Sequence, residues 1–103
     1  MKYVTTPAFD RDIKRLTKTE RKLFLESVFD KFIPTADLHA KDPSSTWPKG
    51  LRVKGVQAAP GIWEMTWNMR QPDGRATWEW TEIDNEPAIR WRRVGNHSIF
   101  KLP

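Results

Sequence analysis

Charged side chains alternate with apolar ones in the second half of the chain, a spacing that could build a surface for binding a polyanion. The residues are Arg52, Lys54, Glu64, Arg75, Glu79, Arg90 and Arg92. Side chains two positions apart in a β-strand point to the same face of a sheet, so we expect these charges to share one face. Because cations outnumber carboxylates there, that face suits a nucleic acid, an acidic protein or an anionic surface.

The charge of the whole chain points in the same direction. Its 103 residues include 18 Lys and Arg and 13 Asp and Glu, which gives a formal net charge of +5. This length fits a single domain, residues 1–103, with a core of its own. The chain has no cysteine, which excludes disulfides, thiolate metal ligands and a cysteine nucleophile.

No segment has the pattern of a membrane span or a secretory signal. A helix that spans a bilayer needs about 20 consecutive apolar residues, and no apolar stretch of the chain approaches that length. Residues 1–7, MKYVTTP, lack the apolar segment of a signal peptide. We therefore expect a cytoplasmic protein that does not bind membranes.

Two helices are predicted in the first half, and both have clear start signals. Thr6 can cap the first helix, with Pro7 at its first helical position. Thr17 and Glu20 have the spacing of a capping box, in which each side chain binds the backbone amide of the other residue. The two helices should form a hairpin with one apolar side. Its first helix would contribute Phe9, Ile13 and Leu16.

The second helix is predicted to end near Pro34. Its apolar stripe would consist of Leu25, Val28, Phe29 and Phe32. Proline lacks the backbone amide that continues a helix, so Pro34 should end or bend it. Residues 34–50 contain three prolines and no clear period. They indicate a surface connection with a short helical turn near residues 37–40, although a longer second helix is the alternative.

The second half changes to a period of two, which predicts four strands. They are residues 51–54, 62–67, 75–81 and 89–92, with residues 3–5 as a candidate for a further strand. Turn signals separate them at Pro60-Gly61, Pro72-Asp73-Gly74 and Asp84-Asn85-Glu86-Pro87. Strands joined by short turns form an antiparallel meander. The alternation turns these apolar residues towards the helices: Leu51, Val53, Trp63, Met65, Trp67, Ala76, Trp78, Trp80, Ile89 and Trp91.

Four segments of the second half resemble a known family. They are Leu51-Arg52-Val53-Lys54, Gly61-Ile62-Trp63-Glu64, Gly74-Arg75-Ala76-Thr77 and Arg92-Arg93-Val94-Gly95-Asn96-His97-Ser98-Ile99-Phe100. Their order and approximate spacing are similar to those of RelE/ParE-superfamily toxins, the toxic halves of bacterial type II toxin–antitoxin pairs. With the helical hairpin, the resemblance covers nearly the whole chain. It implies an α+β fold of order β-α-α-β-β-β, with the N-terminal hairpin on one face of a small, twisted antiparallel sheet.

The resemblance to RelE-type members implies an activity and its partners. Such toxins enter the ribosomal A site and cleave mRNA, which inhibits translation. The ribose 2′-hydroxyl attacks its own phosphodiester, a reaction that needs a base, an acid and cations but neither a metal nor another cofactor. A cognate antitoxin would neutralise the toxin, which should be a monomer when free and part of a larger complex with the antitoxin.

The same resemblance implies three candidate catalytic residues. Arg75 matches an arginine that contacts the scissile phosphate, which a guanidinium binds through a bidentate fork. His97 matches a C-terminal histidine or arginine used as acid or charge stabiliser, and histidine changes protonation near neutral pH. Glu64 stands where well-known members carry a lysine. It would act as the general base or as an ion-pair partner that orients Arg75.

Six further residues are candidates for binding RNA. The cations Arg52, Lys54, Arg90, Arg92 and Arg93 would contact RNA phosphates, and Phe100, where several members carry a tyrosine, would stack on a base. The departures at Glu64, Thr66 and Phe100 leave two alternatives open. One is a ParE-like toxin that inhibits DNA gyrase. The other is a non-catalytic binding module on the same fold.

Overall fold

The computed structural model describes residues 1–70 and 73–103. In these residues helices fill most of the first half of the chain and strands most of the second, as predicted. The elements are β1 (Lys2–Thr5), α1 (Pro7–Arg15), α2 (Lys18–Ser27), a π-helical turn (Val28–Phe32), α3 (Ile33–Lys41), a 3-10 turn (Lys49–Leu51), β2 (Lys54–Gly55), β3 (Trp63–Asn68), β4 (Gly74–Ile83), β5 (Glu86–Gly95) and a second 3-10 turn (His97–Lys101).

The strands form one sheet in the order β1-β5-β4-β3-β2. β2 to β5 pair antiparallel as a meander, whereas β1 pairs parallel with β5. The predicted α+β class, with helices on one face of the sheet, is confirmed. The sheet is mixed and not antiparallel throughout, because the first and last strands are joined by the long connection that parallel pairing requires.

The strand predicted at residues 51–54 is largely replaced by a tight turn. Lys49–Leu51 form a 3-10 turn, and Arg52 follows it in the left-handed region with φ of 47°. Only Lys54–Gly55 pair with β3. The turn buries Leu51 in the core, and it leaves Arg52 outside the sheet whose face it was predicted to share.

The turn between β4 and β5 lies where the sequence predicts it, but it is shorter. Only Asp84 and Asn85 separate the strands, and their φ angles are 53° and 64°. Short polar side chains tolerate these angles, which a two-residue hairpin requires. The turn predicted at Pro72-Asp73-Gly74 includes Pro72, which lies outside the described residues, and Gly74 already belongs to β4.

Both predicted helix caps are present. The Thr6 hydroxyl accepts from the Phe9 amide and donates to the Arg92 carbonyl, so it joins the start of α1 to β5. At the start of α2, Thr17 and Glu20 each bind the other residue's backbone amide. The first half is therefore held in place by short local signals that can be read from the sequence.

Half of the apolar stripe predicted for the second helix is wrong, and the alternative of a longer helix holds, since helical backbone continues past Pro34 to Lys41. The buried residues are Phe24, Val28, Phe32 and Ala36, whereas Leu25 and Phe29 are 45% and 63% exposed. A spacing of four exceeds the 3.6 residues of an α-helical turn. The π-helical turn, in which the Ile33 amide binds the Val28 carbonyl, adds the extra residue per turn that keeps the stripe aligned. Pro34 then lies in the first turn of α3, where proline is tolerated.

Aromatic rings between the helices and the sheet form the centre of the core. Phe32 is fully buried, and its ring centroid lies within 5.1 Å of those of Trp47, Trp78 and Trp91. Phe24 contacts Trp91 edge-on at 5.6 Å. The tryptophans are therefore mainly packing residues, as the alternation predicts.

Gly74 is expected to be intolerant of any side chain, because the ring of Trp67 lies against it. An added Cβ would come within 2.5 to 2.7 Å of three Trp67 ring atoms, and Trp67 is held there by a 2.9 Å hydrogen bond from its Nε1 to the Arg75 carbonyl. Gly74→Ala should therefore lower the free energy of unfolding by about 1–3 kcal/mol, measured by urea denaturation.

Gly55→Ala is the matched control, since an added Cβ at Gly55 would meet no atom within 4 Å. Its midpoint should stay close to that of the wild type. Equal midpoints for the two variants would show that Gly74 and Trp67 are not tightly packed.

Candidate functional site

Four side chains of β3 and β4 lie together on the sheet face turned away from the helices. They are Glu64, Thr66, Arg75 and Thr77, and the register pairs Glu64 with Thr77 and Thr66 with Arg75. The alternation predicts this shared face. It does not predict the burial, since Arg75 is only 8% exposed and Glu64 only 7%.

The C-terminal residues fold back onto this face. The 3-10 turn His97–Lys101 contacts β4 and β5. The Pro103 backbone oxygen accepts hydrogen bonds from Thr77 Oγ1 at 3.0 Å and from Arg92 Nε at 3.1 Å. A polar sheet face that would otherwise be open to solvent is thus partly covered.

Arg75 is held between two carboxylates. Its Nη1 donates to Glu64 Oε1 and its Nη2 to Asp73 Oδ2, both at 3.1 Å. Lys54 Nζ lies 4.0 Å from the same Glu64 oxygen. A buried guanidinium needs such partners, because an unpaired buried charge is strongly destabilising. The fold thus brings the predicted residues Arg75, Glu64 and Lys54 together and adds Asp73 to them.

Two buried polar atoms beside this ion pair have no hydrogen-bond partner among the described residues. They are Arg75 Nε and Thr66 Oγ1. The two residues face each other across β3 and β4. Native proteins leave few buried polar groups unsatisfied, so this point of the sheet face has unused capacity for a hydrogen-bonding oxygen.

A second ion-pair cluster lies on the same face, further along β4. Glu79 accepts hydrogen bonds from Arg90 Nη1 at 2.6 Å and from Arg92 Nη1 at 3.1 Å. Both arginines are half-buried, so an anion could reach them more easily than Arg75. Two of the predicted RNA-binding residues therefore form a partly neutralised cationic patch.

Arg93 does not join that patch. Although a bulge between Thr77 and Trp78 makes Arg93 the strand partner of Thr77, its guanidinium reaches α1. There its Nε and Nη2 donate to the two Asp12 oxygens at 2.6 and 3.2 Å. The bound carboxylate raises the pKa of Arg93. Because Asp12 also accepts from the Val94 amide, this pair links α1 to β5.

His97 and Phe100 lie together in the C-terminal 3-10 turn. Their rings meet edge-on with centroids 5.1 Å apart. His97 is exposed, and it makes no hydrogen bond or ion pair with another described residue. It follows two residues after Gly95, the residue that pairs with Arg75 in the sheet. The turn therefore begins two residues after the strand partner of Arg75.

The remaining two predicted RNA-binding residues lie at the other edge of the sheet. Lys54 is exposed on β2, the edge strand, and reaches back to Glu64. Arg52 is exposed next to β2 and has no ion pair with a described residue. Of these two, only Lys54 lies within reach of the buried Glu64–Arg75 ion pair.

Asp12 and Asp73 were missed by the sequence analysis, although both carry a signal. Asp73 precedes Arg75 by two residues, so the period of two that groups the other charges includes it as well. Asp12 lies three residues after Phe9 and four before Leu16, which puts a carboxylate on the apolar side of the first helix. A charge in that position predicts a buried partner.

A cleft of about 310 Å³ lies at the end of the sheet where β4 begins and β5 ends. Its lining includes Asp12, Arg15, Asp73, Arg93 and Asn96. Both carboxylates that the sequence analysis missed therefore border this cleft. Asp73 lines the cleft and also accepts a hydrogen bond from the Arg75 guanidinium, so it connects the two.

Metal sites and membrane-spanning helices are both absent from the described part of the chain. Among residues 1–70 and 73–103, no group of three or more His, Asp or Glu side chains is placed to hold a metal ion. No helix in those residues is long and apolar enough to cross a membrane.

Neither a protein-family model nor a curated protein sequence matches the chain. Among solved structures, the YoeB/ParE toxin from Agrobacterium tumefaciens superposes with a TM-score of 0.61, over 94% of this chain and 99% of that one, at 14% sequence identity. The chain has the YoeB/ParE toxin fold. The resemblance on which the fold was predicted is confirmed at that level. In this YoeB/ParE fold, the helices cover one face of the sheet and the Arg75 ion pair lies on the other.

Removing the Asp12 carboxylate should destabilise the protein, because Arg93 would lose its ion-pair partner and the Val94 amide would lose its hydrogen-bond acceptor. We expect Asp12→Ala to lower the free energy of unfolding by about 2 kcal/mol, less than for a fully buried pair since Arg93 is partly exposed. Asp30→Ala, at an exposed aspartate of the π-helical turn, is the control and should cost little. Similar losses for both variants, measured by thermal and urea denaturation, would rule out a special role of the Asp12–Arg93 pair.

Proposed function

We propose that this protein is a RelE-like toxin that cleaves mRNA on the ribosome and thereby inhibits translation. The observation that supports it best is the Arg75–Glu64 ion pair, at 3.1 Å, on the sheet face opposite the helices, next to the turn that carries the exposed His97. A cation, a carboxylate and an imidazole are the groups that this chemistry requires. The toxin would act in the cytoplasm, where the ribosomes are.

In the proposed reaction, Glu64 takes the proton of the ribose 2′-hydroxyl. The freed oxygen attacks the adjacent phosphorus, and the bond from phosphorus to the 5′-oxygen breaks. His97, as imidazolium, gives its proton to that 5′-oxygen, which leaves a 2′,3′-cyclic phosphate and a 5′-hydroxyl. Arg75 stabilises the charge that builds up on the phosphoryl oxygens, and no metal or other cofactor takes part.

The hydrogen bonding of Glu64 is compatible with a role as base. Both Arg75 and Lys54 contact Oε1, and no described residue donates to Oε2. One carboxylate oxygen therefore fixes the side chain while the other is left for a substrate proton. Arg90, Arg92 and Lys54 would hold the RNA backbone along the same face, with Arg52 contacting it from the turn before β2, and Phe100 would stack on a base beside His97. Arg93 would contribute less, because Asp12 already binds it.

A second function is favoured by one feature of the same site. Arg75 is neutralised on two sides, by Glu64 and by Asp73, which leaves it with less charge for a phosphate than a free arginine has. This would suit a ParE-like toxin that inhibits DNA gyrase without cutting RNA. Gyrase supercoiling assays with the purified protein separate the two functions, since an mRNA endonuclease would leave supercoiling unchanged.

The proposed partner in either case is an antitoxin with an acidic, amphipathic segment. The exposed Leu25 and Phe29 lie in one shallow depression that is also lined by three cations, Lys18, Arg21 and Lys22, and two carboxylates, Glu26 and Asp30. Apolar side chains beside a small excess of cations suit a segment that carries both leucine-like and acidic residues and that folds on binding.

Expression of the protein without an antitoxin is expected to arrest growth, with mRNA cut on the ribosome. His97→Gln should reduce cleavage by about 10²- to 10⁴-fold, the usual contribution of a general acid. His39→Gln is the matched control: His39, the other of two histidines, stacks on Trp80 at 6.0 Å, apart from the ion pair. Primer extension on ribosome-bound message gives the cut sites, and intact message during arrest would refute the nuclease function.

A further inference from the structure

The hydrogen bonds of Arg75 leave one edge of its guanidinium incompletely used. A guanidinium binds a phosphate best through a fork of two parallel N–H groups. In Arg75 the Nε and Nη2 groups form such a fork on one edge, while Nη1, on another edge, is bound to Glu64. Asp73 occupies only the Nη2 side of the fork, and Nε has no partner among the described residues.

The hydroxyl of Thr66 is well located to complete a site at this edge. Thr66 is the cross-strand partner of Arg75, and its buried Oγ1 lacks a hydrogen-bond partner among the described residues. Arg75 and Thr66 are both more than nine-tenths buried. Two unsatisfied buried groups on directly paired residues, one of them a permanent cation, suit an oxyanion that can accept from both.

We propose that Asp73 is a gate on this oxyanion site, and that a phosphate oxygen of RNA displaces it to bind Arg75 Nε and Nη2 together with the Thr66 hydroxyl. Glu64 would stay on Nη1 throughout and hold the guanidinium in place. The inference takes the identity of its ligand, an RNA phosphate, from the proposed function. It adds Thr66 as a binding residue and Asp73 as a residue that controls access to Arg75.

The exposure of the two side chains fits this order of events. The Asp73 side chain is 21% exposed and that of Arg75 9%, so the carboxylate is nearer to solvent than the guanidinium. It also borders the cleft at the end of the sheet, from which a strand of RNA could approach. Since a carboxylate and a phosphate compete for the same donor, Asp73 would compensate the charge of Arg75 until a better anion arrives.

The test compares ligand binding by Asp73→Asn, Asp73→Glu and the wild type. The probes are inorganic phosphate and a short RNA whose riboses carry 2′-O-methyl groups, which cannot be cleaved. Asp73→Asn should bind the RNA about tenfold more tightly than the wild type, whereas Asp73→Glu, which keeps the carboxylate, should bind like the wild type. Adding Thr66→Val to Asp73→Asn should weaken binding about fivefold.

Asp84→Asn is the control for net charge, because Asp84 is exposed and pairs only at the surface with Lys2. It removes the same charge and should change affinity less than twofold. The Arg75 Nε–H signal in ¹⁵N NMR spectra, assigned by its loss in Arg75→Lys, should move when RNA is added. That shift is also expected in the wild type at saturating RNA, so a variant that does not fold leaves the test intact.

Equal tightening by Asp73→Asn and Asp84→Asn would overturn the proposal, as would an Arg75 Nε–H signal that RNA does not move. The proposed function has its own readout in ribosomal mRNA cleavage by the wild type. Tighter binding by Asp73→Asn without any cleavage would support the gate and refute the nuclease. Cleavage by the wild type with unchanged binding by Asp73→Asn would refute the gate alone.

Discussion

A permanently charged guanidinium in a mostly buried position is the constraint on which this sheet face depends. Arginine cannot lose its proton to escape the cost of burial, so the fold must supply carboxylates within hydrogen-bonding distance of Arg75. Glu64 comes from the neighbouring strand and Asp73 from the same strand end. Because the Glu64 contact crosses β3 and β4, it also favours one register of this strand pair, since a slip of one residue would turn the carboxylate to the helices.

Much of the fold could be predicted because its signals are local. The caps at Thr6 and Thr17 need only a few neighbouring residues, and the period of two assigns Glu64 and Arg75 to one face without any tertiary information. The prediction of which residues of the second helix are buried failed for a physical reason. A 3.6-residue template puts Leu25 and Phe29 in the core, whereas the chain inserts a π-helical turn, so that Phe24 and Ala36 are buried in their place. Only packing against the sheet reveals that choice.

The site was less predictable than the fold, because its geometry depends on contacts far apart in sequence. Alternation groups the charged residues but says nothing of what covers them, and here the C-terminal residues do so through Pro103. Arg93 lies one residue after Arg92 and is bound by Asp12 on α1, a pairing across 81 positions. At 14% identity, this chain shares the fold of the YoeB/ParE toxin. The chemistry of the sheet face depends on this chain's own side chains.

The parallel pairing of β1 with β5 has a consequence for how the protein is made. Lys2–Thr5 are synthesised long before their hydrogen-bonding partners, Ala88 to Trp91. Closing so long a loop carries an entropic cost and slows folding. β1 therefore cannot join the sheet until β5 has left the ribosome, so the strand that comes first in the sequence takes its place in the sheet only after the last one is available.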